Sequence, residues 1–207
     1  MKRSKSSGRW LAEHEHDEFV RRARAEGWRS RAVFKLMDIQ KRDRILRPGM
    51  TCIDLGASPG GWSQYAAGIS GDKGRLIALD ILPMEPLDGV EFIQGDFHET
   101  AVLESLKRAL GGAGADLVMS DMAPNLSGMT AVDQPRAMAL AELARDLAVE
   151  VLKPGGDLLV KAFQGAGFQE FARGLRTTFG GLKTRKPPAS RPRSNEVYLL
   201  ARNYRIV

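Results

Sequence analysis

Short apolar runs alternate with longer amphipathic segments through the middle of the chain. Six runs are predicted to be buried strands, at residues 51–55, 75–79, 90–93, 115–119, 157–160 and 197–201. The segments between them are predicted to be helices, at residues 61–69, 99–110, 133–152 and 167–179, with an additional helix at residues 30–44 before the first strand. Alternation of strands and helices predicts an α/β protein with a parallel, doubly wound sheet.

Length and composition fit a globular protein. The chain has 207 residues, of which 43% are hydrophobic and 27% charged. No stretch approaches the roughly 18 consecutive apolar residues of a membrane span, and residues 1–8 are too polar for a signal core, so we expect a cytoplasmic protein. The one cysteine, Cys52, excludes an internal disulfide framework, and no Cys/His cluster has zinc spacing, so we expect no metal site.

The charges are segregated along the chain. Residues 1–47 carry a net charge of +7, residues 48–182 carry −7 and residues 183–207 carry +6. Two basic ends around an acidic middle indicate a surface for a polyanion, with nucleic acid as the first candidate. For the first ten residues a solvated basic tail is an equal alternative. The C-terminal basic cluster is interspersed with prolines and is predicted to be a loop; its members are Lys183, Arg185, Lys186, Arg191 and Arg193.

Three strand ends carry residues suited to a nucleoside cofactor. In a doubly wound sheet, ligands bind beyond the carboxyl ends of the strands. Gly56 and Gly60 lie in a glycine-rich turn before a helix, where a ligand can approach the backbone and an anionic group can meet free N–H groups. Asp80 ends the second strand, 20 residues after Gly60, a spacing typical of a carboxylate that binds both hydroxyls of an unphosphorylated ribose. Asp96 follows the third strand and is a candidate for binding an exocyclic amino group of adenine.

Two other enzyme classes share part of this pattern. The glycine-rich turn also matches the G-x-S-x-G nucleophile elbow of hydrolases, but the residue after Ser58 is Pro59, which has no N–H to serve an oxyanion. The histidines His14, His16 and His98 all precede the last strands, where a hydrolase would carry its base. A dehydrogenase is disfavoured because the glycines do not have G-x-G-x-x-G spacing.

The later strand ends carry groups suited to the reaction itself. Asp121 follows the fourth strand, Lys161 ends the fifth, and Glu196 begins the last strand. If the last strand lies beside the fifth, these side chains face one reaction centre. The alternatives are that Lys161 extends to water and that Asp121 forms a turn before Pro124.

Several longer strings resemble the FtsJ-type family of bacterial methyltransferases, which modify ribose 2′-hydroxyls of large-subunit ribosomal RNA. The resemblance covers about residues 28–202, in matching order. The strings that carry it are RSRAVFKL from Arg29, DLGASPGGWSQY from Asp54, QGDF from Gln94, SDMAPNLSG from Ser120, VKAFQG from Val160 and SNEVY from Ser194.

The resemblance implies a fold and a reaction. The fold is a Rossmann-like, S-adenosylmethionine-dependent methyltransferase with a seven-stranded, mostly parallel sheet, an antiparallel last strand and an N-terminal helix. We therefore expect one methyltransferase domain at residues 28–207, after a basic extension at residues 1–27. The substrate implied is a uridine of the A-loop of 23S ribosomal RNA within the assembled large subunit, and in the absence of any oligomer signal we expect a monomer.

The resemblance also implies roles for individual residues. The family's catalytic tetrad corresponds to Lys35, Asp121, Lys161 and Glu196. Its cofactor contacts correspond to Gly60, Trp62, Asp80, Asp96 and Asp121, to which the glycine-rich turn adds Gly56. From the basic segments we take as RNA contacts Arg29, Arg31, Lys35, Arg191 and Arg193.

The protonation state of Lys161 decides its chemistry. As a free amine it is the candidate base for the acceptor hydroxyl, and burial beside a second cation such as Lys35 would lower its pKa towards neutrality. Asp121 and Glu196 would oppose that change, so the sequence leaves the direction open. If Lys161 stays charged, it would instead stabilise the developing alkoxide while Lys35 steers the ribose and its phosphate.

Two other functions remain open on the same scaffold. One is an N-methyltransferase acting on a base or a small molecule, although the segment after Asp121 lacks a planar aromatic residue for stacking. The other is a noncatalytic RNA-binding factor for ribosome assembly. The presence of all four tetrad residues argues against this alternative.

Overall fold

A computed structural model describes residues 17–125 and 127–205. Its strands are β1 (Thr51–Leu55), β2 (Arg75–Asp80), β3 (Val90–Gln94), β4 (Ala115–Ser120), β5 (Leu152–Phe163), β6 (Phe179–Arg185) and β7 (Glu196–Tyr204). Its helices are α1 (Glu18–Ala25), α2 (Val33–Asp43), α3 (Gly61–Ser70), α4 (Thr100–Leu110), α5 (Thr130–Val151) and α6 (Phe168–Thr178). Among the described helices, none is long and apolar enough to cross a membrane.

The strands form one seven-stranded sheet in the order β3-β2-β1-β4-β5-β7-β6. β7 runs antiparallel to both of its neighbours, and the other pairs are parallel. This confirms the predicted α/β fold with an antiparallel last strand. The direction of chain progression across the sheet reverses between β1 and β4, and a crevice for ligands is expected at such a switch point.

Helices cover both faces of the sheet, as a doubly wound fold requires. On one face, α2 and α3 pack their apolar side chains, including Leu36 and Ala66, against the sheet. On the other face, α4, α5 and α6 pack around a larger core that includes Leu106, Ala144 and Leu175. Both faces are therefore sealed, and the strands have the continuous apolar composition that made them recognisable in the sequence.

Helix α1 precedes the predicted helices and was not expected from the sequence. The side chain of Asp17 caps it by accepting a 2.9 Å hydrogen bond from the N–H of Phe19. The Phe19 ring lies 5.6 Å from the Phe34 ring of α2, between centroids, and Ala23 is buried in the same cluster. Helix α1 thus covers part of the outer surface of α2.

The prediction of a loop around Lys183 and Arg185 was wrong. Both residues lie in β6, an edge strand that pairs with β7 alone. Their side chains bind the buried carboxylate of Asp43, at 3.2 Å from Lys183 Nζ and at 2.7 Å from Arg185 Nε and Nη2. These bonds fasten the end of α2 to the sheet, which explains basic residues in a strand.

Candidate active site

A cavity of about 740 Å³ lies beyond the carboxyl ends of the first four strands. Its walls include Gly56, Asp80, Asp96 and Asp121, four of the residues that the sequence assigned to the cofactor. Its volume is within the usual range for small-molecule sites. The cavity lining carries three carboxylates and one guanidinium, that of Arg136, and this acidic balance suits a cationic ligand.

The glycine-rich turn requires glycine at Gly56. This residue has φ +72°, and a Cβ there would lie 2.4 Å from the Met122 side chain. Its N–H donates to the carbonyl oxygen of Leu79 at 2.9 Å, which brings the ends of β1 and β2 together. The close approach of Met122 explains why a larger residue cannot occupy this wall of the cavity.

Asp80 is fixed by backbone donors. Its Oδ2 accepts from the Ser58 N–H and its Oδ1 from the Leu82 N–H, both at 2.8 Å. A carboxylate oxygen has more than one acceptor position, so each oxygen remains able to bind a ligand hydroxyl. The structure therefore presents Asp80 at the cavity in a single orientation.

Asp96 is more exposed than Asp80 and is hydrogen-bonded to His98. Its Oδ1 accepts from the His98 N–H at 3.0 Å and lies 2.7 Å from His98 Nδ1. These two hydrogen bonds hold the pKa of Asp96 below its ordinary value, and the one from the His98 backbone has the larger effect. Phe97 and His98 also line the cavity, with their rings stacked 5.9 Å apart between centroids. His98 is thus a cavity-wall residue.

The four tetrad residues meet at one point beside this cavity. Lys161 Nζ lies 2.7 Å from Asp121 Oδ1 and 3.6 Å from Glu196 Oε2. Lys35 Nζ, carried on α2, lies 2.8 Å from Glu196 Oε1 and 3.7 Å from Asp121 Oδ1. Each lysine therefore contacts both carboxylates. The antiparallel pairing of β5 with β7, in which Phe163 lies opposite Glu196, brings Glu196 to this edge of the sheet.

Tyr198 and Ser190 complete the cluster. The Tyr198 hydroxyl donates to Asp121 Oδ1 and, at 3.4 Å, to Glu196 Oε1. The Ser190 hydroxyl donates to the same Glu196 oxygen at 2.7 Å. Lys35 Nζ lies 5.5 Å from the centre of the Tyr198 ring. Sequence reasoning gave neither residue a role, although Tyr198 stands within the SNEVY string, two residues after Glu196, on the same side of β7.

The balance of charges keeps Lys161 protonated. Burial by itself lowers its pKa, but Asp121 and Glu196 outweigh burial and raise the pKa above its ordinary value. Burial raises the carboxyl pKa values of Asp121 and Glu196, and the charges of Lys161 and Lys35 outweigh it and lower both. Lys161 is therefore an ammonium group held between two carboxylates, which answers the question that the sequence left open.

A fifth acidic residue lies beneath the turn. Asp54 is completely buried and accepts a 2.6 Å hydrogen bond from the Ser63 hydroxyl. Burial raises its pKa to about 7, and the nearby charges of Asp121 and Asp80 act in the same direction. Sequence reasoning assigned no function to Asp54, because an acidic residue within a strand end gives no signal of its burial.

Trp62 does not line the cavity. Its side chain is 3% exposed, its Nε1 donates to the Ala32 carbonyl oxygen at 2.8 Å, and its ring lies 5.7 Å from that of Tyr198. The ring therefore packs in the core between α2, α3 and β7. The assignment of Trp62 to the cofactor stays a prediction, which its backbone rather than its ring would have to meet. Gly60, with φ +105°, is the N-cap residue of α3 and lies close to Arg29 and Met84.

The proposed RNA contacts fall into two groups. Arg29 and Arg31 make internal hydrogen bonds, Arg29 to three backbone carbonyls and Arg31 to the Asp17 carboxylate and the Ala189 carbonyl. Arg191 and Arg193 instead border a second, shallower opening of about 330 Å³, together with Asp17.

The family model of FtsJ-like methyltransferases matches residues 28–204. The chain belongs to the FtsJ-like methyltransferase family. Members of this family use S-adenosylmethionine as the methyl donor. The cavity fits this cofactor, since its acidic walls suit a sulfonium cation, Asp80 suits ribose hydroxyls, and Gly56 leaves the space that a side chain would fill.

Similar proteins cover almost the whole chain. The ribosomal RNA large subunit methyltransferase E of Dichelobacter nodosus is 60% identical over 205 residues, 99% of this chain and 98% of that protein. The protein of the same name from Pseudomonas aeruginosa is 58% identical over 205 residues, 99% of each chain.

Solved structures agree with the family fold. A Plasmodium falciparum protein described as a ribosomal RNA methyltransferase superposes with a TM-score of 0.78 at 27% identity, over 86% of this chain and 98% of that one. A chain of the fibrillarin/Nop5p complex superposes with a TM-score of 0.56 at 16% identity, over 86% of this chain and 82% of that one, which shows the shared fold alone.

Proposed function

We propose that this FtsJ-like methyltransferase transfers a methyl group from S-adenosylmethionine to the 2′-hydroxyl of a ribose in 23S ribosomal RNA. The observation that carries the proposal is the contact of Lys35, Asp121, Lys161 and Glu196 beside the cavity. The names of the bacterial relatives support a substrate in the large ribosomal subunit.

The cavity residues hold the cofactor in this proposal. Asp80 accepts from the ribose hydroxyls of the cofactor, Asp96 accepts from its adenine amino group, and the backbone at Gly56 forms the floor of the site. When bound, S-adenosylmethionine supplies a methyl group activated by the positive charge on sulfur. Asp121 lines the cavity and also belongs to the tetrad. In this proposal the cofactor and the acceptor therefore meet at Asp121.

The tetrad acts on the acceptor hydroxyl. In its ammonium form, Lys161 cannot take a proton, so it donates a hydrogen bond to one lone pair of the acceptor oxygen and orients the other towards the methyl group. Holding the oxygen in line for displacement removes much of the entropic cost of the reaction. The hydroxyl proton becomes strongly acidic as its oxygen bonds to carbon, so the ionised Asp121 is basic enough to accept it at that stage.

Lys35 positions the acceptor from the other side. Its ammonium group shares both carboxylates with Lys161 and lies over the Tyr198 ring. Because it is carried on α2 rather than on the sheet, it reaches the acceptor from a different element than Lys161 does. We assign it to the ribose and its phosphate, with Arg191 and Arg193 binding phosphates farther along the RNA.

The substrate in detail is a uridine of the A-loop in the assembled large subunit. A single small domain offers little surface for reading an RNA sequence, which favours recognition of a preformed particle. We further propose that the protein acts as a monomer in the cytoplasm, where ribosomal subunits are available to it.

The direct test is methyl transfer from radiolabelled S-adenosylmethionine to large subunits that lack the modification. Isolated 23S ribosomal RNA is the matched control substrate. We expect label in the subunit RNA and at least tenfold less in the isolated RNA. Failure to label either substrate would favour a noncatalytic assembly factor, and stronger labelling of isolated RNA would contradict recognition of the assembled particle.

A further inference from the structure

Arg29 binds the walls of the cofactor cavity from outside. Its Nη1 donates to the carbonyl oxygens of Glu85 at 2.6 Å and Pro59 at 3.3 Å, and its Nη2 donates to the Pro86 carbonyl oxygen at 2.5 Å. Within the described residues, every acceptor of this guanidinium is a neutral backbone oxygen. Arginine is suited to this role because its planar donors can reach several acceptors at once, whereas lysine offers a single point of contact.

The acceptors belong to two different walls. Pro59 is part of the glycine-rich turn, whereas Glu85 and Pro86 belong to the loop between β2 and β3, residues 81–89. That loop contributes Ile81 and Leu82 to the cavity, where their side chains are 64% and 58% exposed. Arg29 therefore fixes the distance between the turn and the loop.

The other end of Arg29 is held as firmly. Its backbone N–H donates to Gln64 Oε1 of α3 at 3.1 Å, and Gln64 Nε2 donates to the Gly27 carbonyl oxygen at 3.0 Å. A Cβ added to Gly60 would lie 3.1 Å from Arg29 Cδ and 3.0 Å from the Met84 sulfur. The side chain thus fills a space between the turn and the loop that only a glycine at position 60 leaves open.

A second contact between the same walls does not replace Arg29. The Ser58 hydroxyl donates to the Pro83 carbonyl oxygen at 3.1 Å, which ties the beginning of the loop to the turn. Without Arg29, the three carbonyls at Pro59, Glu85 and Pro86 would lose a charged donor, and the far end of the loop would be free to move away.

We propose that Arg29 is a positioning residue for the cofactor rather than an RNA contact. It keeps the loop that carries Ile81 and Leu82 closed against the turn, and so organises the cavity before the cofactor binds. It lies six residues before Lys35, so one segment of chain supports both the cofactor wall and the acceptor side of the site. This inference rests on the proposed placement of the cofactor in the cavity.

The test compares Arg29→Ala with Arg75→Ala in the full-length protein. Arg75 is the matched control, because it also donates to a backbone carbonyl, that of Ala109, but lies at the opposite end of β2 from the cavity. We expect Arg29→Ala to raise the calorimetric Kd for S-adenosylmethionine and its KM at least tenfold. We expect kcat at saturating cofactor to stay within twofold of wild type, and Arg75→Ala to leave the Kd within twofold.

The salt dependence of binding to large subunits separates the two roles of Arg29. The quantity compared is the slope of log binding constant against log salt concentration. Replacing a positioning residue leaves this slope unchanged, whereas loss of a phosphate contact reduces its magnitude by up to about one unit. An unchanged cofactor Kd, or a reduced slope, would overturn the proposal. If Arg29→Ala does not fold, Arg29→Lys decides in its place: a folded protein with a several-fold weaker cofactor Kd supports the proposal, and wild-type affinity overturns it.

Asp80→Ala distinguishes failure of this inference from failure of the cofactor placement. If Asp80→Ala leaves the cofactor Kd unchanged, the cavity is not the cofactor site and both ideas fail. If Asp80→Ala weakens binding at least tenfold and Arg29→Ala does not, the placement stands and only the role of Arg29 is wrong.

Discussion

Lys161 Nζ lies 2.7 Å from Asp121 Oδ1 and donates at 2.8 Å to the main-chain carbonyl oxygen of the same residue. Two bonds to one residue fix the ammonium group at the end of β5 before any substrate arrives. Because its other close partner is the Glu196 carboxylate, the environment stabilises the charged form. The lysine that we assign to the acceptor hydroxyl is therefore oriented and protonated before substrate binds.

This charge state predicts the pH dependence of methyl transfer. The pKa of Lys161 is raised, so the free amine is scarce at neutral pH and increases about tenfold for each pH unit below that pKa. If the free amine were the base, the single-turnover rate at saturating substrates would rise by about one logarithmic unit per pH unit between about pH 7 and pH 9. We expect no such rise, because the ammonium form is the working one. A slope near one would restore Lys161 as the base.

Substitution of Lys161 should affect chemistry and spare the cofactor. We expect Lys161→Ala to reduce the single-turnover rate at least a thousandfold, on the order of 4 kcal/mol of transition-state stabilisation. The Kd for S-adenosylmethionine should stay within about threefold, since Lys161 faces the acceptor in our proposal. Rapid-quench methyl transfer and calorimetry measure the two quantities, and substantial turnover by the folded variant would remove Lys161 from the mechanism.

Buried Asp54 predicts a change of stability with pH. Its folded pKa of about 7 lies above its ordinary value of 3.8, so the folded state keeps a proton that the unfolded state loses. Its contribution to stability is complete below about pH 4 and is lost as the pH rises through about 7.

The matched variant is Asp54→Asn, which keeps an acceptor for the Ser63 hydroxyl. Relative to wild type, the variant should gain about 1 kcal/mol of unfolding free energy per pH unit between about pH 4 and pH 7, and none above. Urea unfolding at four pH values measures the difference. A difference that does not vary with pH would show that Asp54 ionises in the folded protein as it does in the unfolded chain.

The basic loop after β6 should bind RNA phosphates. Arg191 and Arg193 border the opening beside Asp17, and point charges of this kind bind the backbone without reading bases. Replacing both by Ala should weaken large-subunit binding and lower its log–log salt slope by about one to two units, with the cofactor Kd unchanged. The control is the double variant of Lys107 and Arg108 on α4. Equal slopes for wild type and both double variants would locate RNA binding elsewhere.

The sequence predicted the sheet because its central strands are buried on both faces and so read as apolar runs. It did not reveal β6, since this edge strand contains Gly180 and Gly181 and directs Lys183 and Arg185 to a buried carboxylate. Helix α1 was missed for a related reason: its apolar residues join a small peripheral cluster with α2, Tyr65 and Ala189 rather than the core of the sheet, so its composition is that of a charged surface segment.

The same limit applies to the site. Lys35, which lies on α2, was identified only through the family resemblance. Asp121, Lys161, Glu196 and the acidic residues assigned to the cofactor were recognisable because their chemistry stands at strand ends, where a doubly wound sheet places ligands. The roles of Trp62 and Arg29 were not, because a ring in the core or a guanidinium bound to carbonyls depends on distant backbone that no local pattern encodes. The pKa of Lys161 likewise depends on distances to two carboxylates, which only the folded chain determines.

The position of the transferred methyl group decides whether this protein methylates a ribose or a base. Large subunits lacking the modification are treated with the protein and labelled S-adenosylmethionine, and their RNA is digested to nucleosides and analysed by mass spectrometry. We predict label in a 2′-O-methyluridine with the wild-type protein and none with Lys161→Ala. Label in a base-methylated nucleoside would contradict ribose methylation and with it the role we assign to the tetrad.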